Sequence, residues 1–192
     1  MPPSKRQEII QATIELVSEC GFHGAASAKI AEKAGVVEVT IFRNFKTKDQ
    51  LFDEIYEKLR RDLNTYVSRG NDHSLSIKER FFAICTNFCS YMETWPEKIN
   101  FIEQYFHSVR GWRLRHDILI ASGFQFEESP GPALLEEGRE SGEIKDLPVT
   151  VLLGLVVGTL FNFERQQQFK KTRHSKDLKK QVIQACWDGI SK

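Results

Sequence analysis

Residues 27–48 read SAKIAEKAGVVEVTIFRNFKTK, and they decide the fold. Ile30, Ala31 and Ala34 form an apolar patch at helical spacing. Gly35-Val36-Val37 interrupts it, and Ile41 and Phe45, four apart, begin a second short helix. Two short helices about a turn read as a helix-turn-helix. Ala31 is small where a second helix crosses close above it. Gly35 stands where the chain leaves the first helix, a position that favours left-handed backbone. Ile41 is bulky and apolar where the second helix is pinned to a core. Glu38, Thr40, Arg43 and Asn44 remain outside, as polar side chains for a DNA major groove.

The flanks support this frame. A helix is expected over 5–20, with Ile10, Thr13, Ile14 and Val17 on one stripe, Ile9, Leu16 and Cys20 widening it, and Gly21 ending it. On the other side Thr47-Lys48-Asp49-Gln50 is a capping box. It opens a long helix carrying Phe52, Ile55, Tyr56, Leu59, Leu63 and Tyr66. Lys48 in a first helical turn opposes the helix dipole. That favours a functional role, in which the ammonium and the helix N-terminal amides together grip one phosphate.

Gly21-Phe22, Ile30-Ala31, Ala34-Gly35-Val36, Thr40-Ile41-Phe42, Phe45, Lys48 and Leu51 together resemble the TetR family of bacterial transcription regulators. The resemblance is strong over roughly the first quarter of the chain and rests on length and helical layout beyond it. It implies an all-α, homodimeric regulator of about nine helices. Residues 1–48 would be a three-helix helix-turn-helix domain binding double-stranded operator DNA, and 49–192 a larger helical domain for effector binding and dimerisation. Three departures stand out. Ala25 and Ala26 occupy the usual capping position, leaving Ser27 to cap. Val37 replaces a capping Ser and has no side-chain acceptor. Phe42 replaces a Tyr and cannot donate to a phosphate. The expected DNA-facing set is Ser27, Lys29, Glu38, Thr40, Phe42, Arg43, Asn44, Lys46 and Lys48.

Composition constrains the chemistry. The 192 residues are 41% hydrophobic and 28% charged, with net charge +1, as in a soluble globular protein. Residues 1–48 hold seven basic side chains against five acidic ones, so DNA affinity must come from the placement of charge. None of the four cysteines forms a CxxC pair. Cys85 and Cys89 share a helix face and read as buried small hydrophobes in a reducing cytosol rather than as a thiol sensor or metal site. A Gly-rich phosphate loop, HExxH, GxSxG and paired metal-ligand spacing are all missing. The expectation is therefore no enzyme, no cofactor and no metal. The longest apolar run, Leu147–Phe161, contains Pro148 and falls short of the ~20 residues that span a bilayer, so a cytoplasmic location without membrane contact is expected.

Ser76-Ile77-Lys78-Glu79 starts a further helix to Thr94, with Phe81, Phe82, Cys85, Phe88, Cys89 and Met92 inward. Pro96 suits the first turn of the next, which carries Ile99, Ile102, Tyr105 and Phe106. Residues 107–128, where Arg110, Arg113, Arg115 and His116 alternate with Trp112 and Leu114, read as irregular or as a short helix. Ser129-Pro130 opens a helix ended by Gly142. The helix after Asp146-Leu147-Pro148 is apolar on most sides and must be covered all round, which points to a second subunit. Residues 164–180 read as a solvated basic loop, and Leu178, Val182, Cys186 and Ile190 mark a last helix. The expected dimer contacts are Leu153, Gly154, Val157, Gly158, Phe161, Leu178, Val182 and Cys186. Aromatic-rich helices suggest an effector pocket from Asn87, Phe88, Tyr91, Met92, Phe101, Gln104, Tyr105, His107, Phe161 and Asn162. The expected function is a ligand-responsive repressor, bound to a palindromic operator as a dimer and released by a small, largely apolar or aromatic effector. The alternative is the same fold answering to a protein partner.

Overall fold

The computed structural model of the chain describes residues 4–69, 71–109, 111, 129–170 and 175–192, without the side chains of 167–170. Nine helices are named among them: α1 (Lys5–Gly24), α2 (Ser27–Lys33), α3 (Glu38–Asn44), α4 (Lys48–Val67), α5 (Ile77–Thr94), α6 (Pro96–His107), α7 (Pro130–Glu140), α8 (Val149–Lys170) and α9 (Lys176–Ile190). The expectation of an all-α fold of about nine helices holds among the described residues. The segment around Arg113, Arg115 and His116 lies outside them. The chain forms two compact units, 1–62 with 95–122, and 63–94 with 123–192.

In the first unit the core joins Ile9, Ile14 and Val17 of α1 to Ile30, Ile41, Phe45, Leu51, Ile55 and Leu59. Helix α6 belongs to this core. Phe101 is fully buried and meets Phe22 edge-on at 5.3 Å, while Tyr105 stacks on Tyr56 at 4.1 Å. Polar bonds fasten the helix along its length: Gln104 Nε2 donates to the Val17 carbonyl at 2.9 Å and the Tyr105 hydroxyl to Asp53 at 2.7 Å. Phe106, expected on the same stripe, is exposed.

The second unit packs α5, α7, α8 and α9 around Phe81, Cys85, Leu134, Leu152, Val156, Leu160, Ile183 and Trp187. Ser76 and Glu79 form the expected capping box at 3.3 and 3.0 Å, and Gly142 takes φ +80° just past α7.

Three local expectations need correction. Helix α1 resumes beyond Gly21, whose φ of 72° kinks it, and runs to Gly24. Ser27 does not cap α2: Ala26 occupies the N-cap position, and no side chain closes it. Residues 164–170 are not a solvated loop but the last turns of α8. Glu164 is buried there, 3.8 Å from Lys179 of α9, which pairs with Glu93 of α5 at 2.8 Å. A charged, glutamine-rich run has good helix propensity, and this ion pair gives its carboxylate a reason to be inside.

Candidate nucleic-acid interface

The turn between α2 and α3 closes by a Schellman arrangement. Val36 N–H reaches the Ala31 carbonyl at 3.0 Å and Gly35 N–H the Glu32 carbonyl at 3.1 Å. Gly35 takes φ +62°, as a C′ residue requires. Ile41 and Phe45 are buried beneath α3, and Val37 begins it without a side-chain cap. Two ion pairs brace the head. Lys33 reaches Glu19 at 2.8 Å and Glu15 at 3.3 Å, and the hydrogen bond to Glu19 leads in holding its ammonium above the usual lysine range. Arg6 pairs with Glu54 and lies over the Phe45 ring at 4.9 Å. These bonds commit Lys33 and Arg6 to the fold, while Lys29, Arg43 and Lys46 stand exposed.

The expected DNA-facing residues therefore divide. Glu38, Phe42 and Arg43 project from α3 into solvent, and Thr40 is half-buried at its edge. Asn44 turns its amide back onto the Thr40 carbonyl at 2.8 Å. Ser27 is the first, half-buried residue of α2. Lys48 sits in the first turn of α4, its ammonium over the Phe52 ring at 5.5 Å. The start of α4 is capped by Thr47, whose Oγ1 accepts from Gln50 N–H at 3.0 Å; Gln50 Oε1 in turn accepts from Lys46 N–H, one residue before the expected partner. Val37 and Val39, which sequence reasoning passed over, are exposed beside the polar set. The signal was present for Val39, which does not fall on the apolar phase set by Ile41 and Phe45; Val37, four before Ile41, continues that phase and gave none.

A separate feature lies in the second unit, an apolar cavity of about 260 Å³. Its wall is drawn from the C-terminal turn of α4 (Leu63, Asn64, Val67), from α5, from the start of α7 and from α8. No charged side chain lines it among the described residues. Its polar groups are few: the Ser129 hydroxyl donates to Asn64 Oδ1 at 3.1 Å, and burial pushes the Cys85 thiol well up, leaving it neutral. Of the ten expected pocket residues, Phe88 alone lines this cavity. Phe101, Gln104 and Tyr105 serve the core of the first unit, and His107 is exposed. Tyr91 and Met92 are buried, Asn87 ties to the Val67 and Arg69 carbonyls, Phe161 tilts against Phe88, and Asn162 is exposed. The cavity residues of α4 and α7 were missed because their apolar spacing is also that of plain core.

Helix α8 is covered on one side only. Leu152, Val156 and Leu160 are buried, Leu153, Val157 and Phe161 half-buried, and Val151, Gly154, Leu155 and Gly158 exposed. Nothing lies within 4 Å of where a side chain at either glycine would begin. On α9, Leu178 is exposed, Val182 half-buried and Cys186 buried. Steps of four drift by about 40° each around a helix, so that series crosses from surface to core.

Residues 9–55 match the bacterial regulatory proteins of the tetR family, and residues 76–191 match the tetracyclin repressor-like C-terminal domain. The chain is 27% identical over 169 residues to the nucleoid occlusion factor SlmA of Vibrio cholerae, covering 84% of this chain and 85% of that one. Among solved structures it is similar to a TetR-family transcriptional regulator from Vibrio parahaemolyticus, at 26% identity and TM-score 0.76 over 98% of this chain and 99% of that one. It also shares the fold of the transcriptional regulator FadR from Bacillus subtilis, solved with stearoyl-CoA, at 21% identity and TM-score 0.71 over 96% and 98% of the two chains. Regulators of this type are dimers. A helix-turn-helix head and a helical second unit, each matching the corresponding part of one family, make this chain a member of the TetR family of bacterial transcriptional regulators.

Proposed function

We propose that the protein is a cytoplasmic, dimeric repressor that holds a palindromic operator and releases it when a small, uncharged aliphatic molecule enters the second unit. The observation that carries this reading is the cavity, an apolar space with no charged lining among the described residues. At ~30 Å³ per water-sized group, its volume takes about nine such groups. An alkyl chain of eight to ten carbons with one hydroxyl or carbonyl near Asn64 and Ser129 suits it. Burying that chain is worth roughly 7 kcal/mol before association costs. The stearoyl-CoA of the FadR complex carries a longer chain than this volume suits, and its phosphates would meet no cation in the lining among the described residues.

Helix α4 supplies Lys48 and its N-terminal amides for phosphate and Leu63, Asn64 and Val67 for the cavity. Effector against its C-terminal turn would bias the helix toward a position in which the two heads leave operator spacing. That requires the effector to bind the released state more tightly than the bound one. Two copies would meet through the exposed strips of α8 and α9, where Gly154 and Gly158 allow close approach. The SlmA likeness admits a protein partner instead, but an open apolar cavity favours a small molecule.

The test is operator binding by the full chain with and without saturating 1-decanol, beside the cavity-filling Val67→Phe. Decanol is expected to weaken operator binding at least tenfold in the wild type and to have no effect on Val67→Phe, whose stability should stay within about 1.5 kcal/mol because the added ring occupies existing space. Equal operator affinity with and without a C6–C12 alcohol, ketone and ester series would refute the small-molecule reading.

A further inference from the structure

The outer surface of α3 carries apolar side chains where water alone would favour polar ones. Ile41 and Phe45 are buried and set which side of the helix faces inward. Each residue advances about 100° around the axis, so the side opposite those two belongs to Val39 and Arg43, four apart. Phe42 flanks them on one edge and Thr40 on the other. Val39 is 54% exposed, Phe42 45%, and Val37, just ahead of the helix, 68%. Single exposed hydrophobics need no explanation. Three within six residues, on the face that a helix-turn-helix presents to a groove, do need one.

The major groove offers a single strongly apolar landmark, the C5-methyl of thymine, and its commonest specific polar contact is an arginine forked onto guanine O6 and N7. We infer that Val39 reads a thymine methyl and that Arg43 reads a guanine close beside it. The Val39 side chain has neither donor nor acceptor, so among base edges the methyl is the complementary partner. Arg43 is exposed, and the charges of Arg6 and Lys33 are engaged elsewhere, by Glu54 and by Glu15 and Glu19. Residues four apart on a helix hold their Cβ atoms roughly 5–6 Å apart, and successive bases rise about 3.4 Å along a strand. The two readers therefore address base pairs one or two steps apart. Each half-site carries a thymine within two base pairs of a guanine, with the valine setting the first and the arginine the second. This rests on the DNA-binding role of the head and does not depend on what, if anything, occupies the cavity.

The experiment begins with the full-length protein and a random duplex library. Binding is then measured on the selected duplex with each thymine replaced in turn by deoxyuridine, which removes the C5-methyl alone. One thymine per half-site, within two base pairs of a guanine, should lose about fourfold in affinity when demethylated, the worth of one buried methyl. Val39→Ala should bind the selected duplex more weakly and be indifferent to deoxyuridine at that position, yet remain sensitive to replacement of the neighbouring guanine. Val39→Thr, which keeps a methyl, should restore the deoxyuridine penalty. Because Val39 is exposed, these variants leave the core intact, which circular dichroism checks. Insensitivity of the wild type to every deoxyuridine, or an undiminished penalty in Val39→Ala, would overturn the inference. A library from which nothing is enriched would sink the DNA-binding reading itself, a separate and recognisable outcome.

Discussion

The first unit and the second use their apolar side chains differently. In the first, the aromatic and aliphatic groups of the core close on one another, with Val37, Val39 and Phe42 outside it: Phe22 meets Phe52 at 4.8 Å and Phe101 at 5.3 Å, and Tyr56 stacks on Tyr105. In the second, the helices leave a cavity of about 260 Å³, and Val151 and Leu155 of α8 stand in solvent. A body that presents a helix to a groove must hold it still, and tight packing resists deformation. A body that takes up a ligand or a second subunit needs surface its own chain has not covered. The contrast is one of task, and it can be broken residue by residue.

The largest expected effect is that of Phe101→Ala. If Phe101 belongs to the closed core, its loss should cost about 3–5 kcal/mol in urea unfolding and leave decanol binding unchanged. A variant of normal stability that no longer binds the alcohol would return Phe101 to the pocket. Next is Leu155→Arg. If its strip is the covered face of a dimer, placing an unpaired charge there should weaken dimerisation by about 3 kcal/mol or more, over a hundredfold, with little change in protomer folding. Analytical ultracentrifugation reads it, and an undisturbed dimer would move the interface elsewhere. Gly35→Ala isolates backbone strain, because no atom lies within 4 Å of the added methyl while φ is +62°. It should cost about 1–2 kcal/mol of stability in the first unit, measured by thermal unfolding. Lys48→Ala is the smallest test. It should weaken binding to all duplexes alike and flatten the log–log salt dependence by about one unit; an unchanged slope removes Lys48 from the phosphate contacts.

Much of the head was legible because its signals are local. Gly35 announces a left-handed residue, Ile41 and Phe45 set the phase of α3, and Thr47 with Gln50 marks the start of α4; each is settled by neighbours within a few positions. Ser27 misled because a capping residue type stood next to the capping position, which Ala26 occupies without any side-chain cap. The pocket was far less legible. Phe101 and Tyr105 share aromatic character and helical spacing with Phe88, yet they face the core of the first unit while Phe88 lines the cavity of the second. Glu164 looked solvated because its surroundings are polar in sequence, whereas its carboxylate is buried close to Lys179, fifteen positions along the chain.

The amino-acid sequence alone determined most helix starts, the turn at Gly35 and the family, because capping, periodicity and left-handed glycine act over single turns of the chain. The tertiary structure alone decided which core receives α6 and where an apolar space remains. Helical spacing states that a face is apolar, but only packing across distant segments determines whether that face meets another helix, a ligand, a second subunit or the edge of a base.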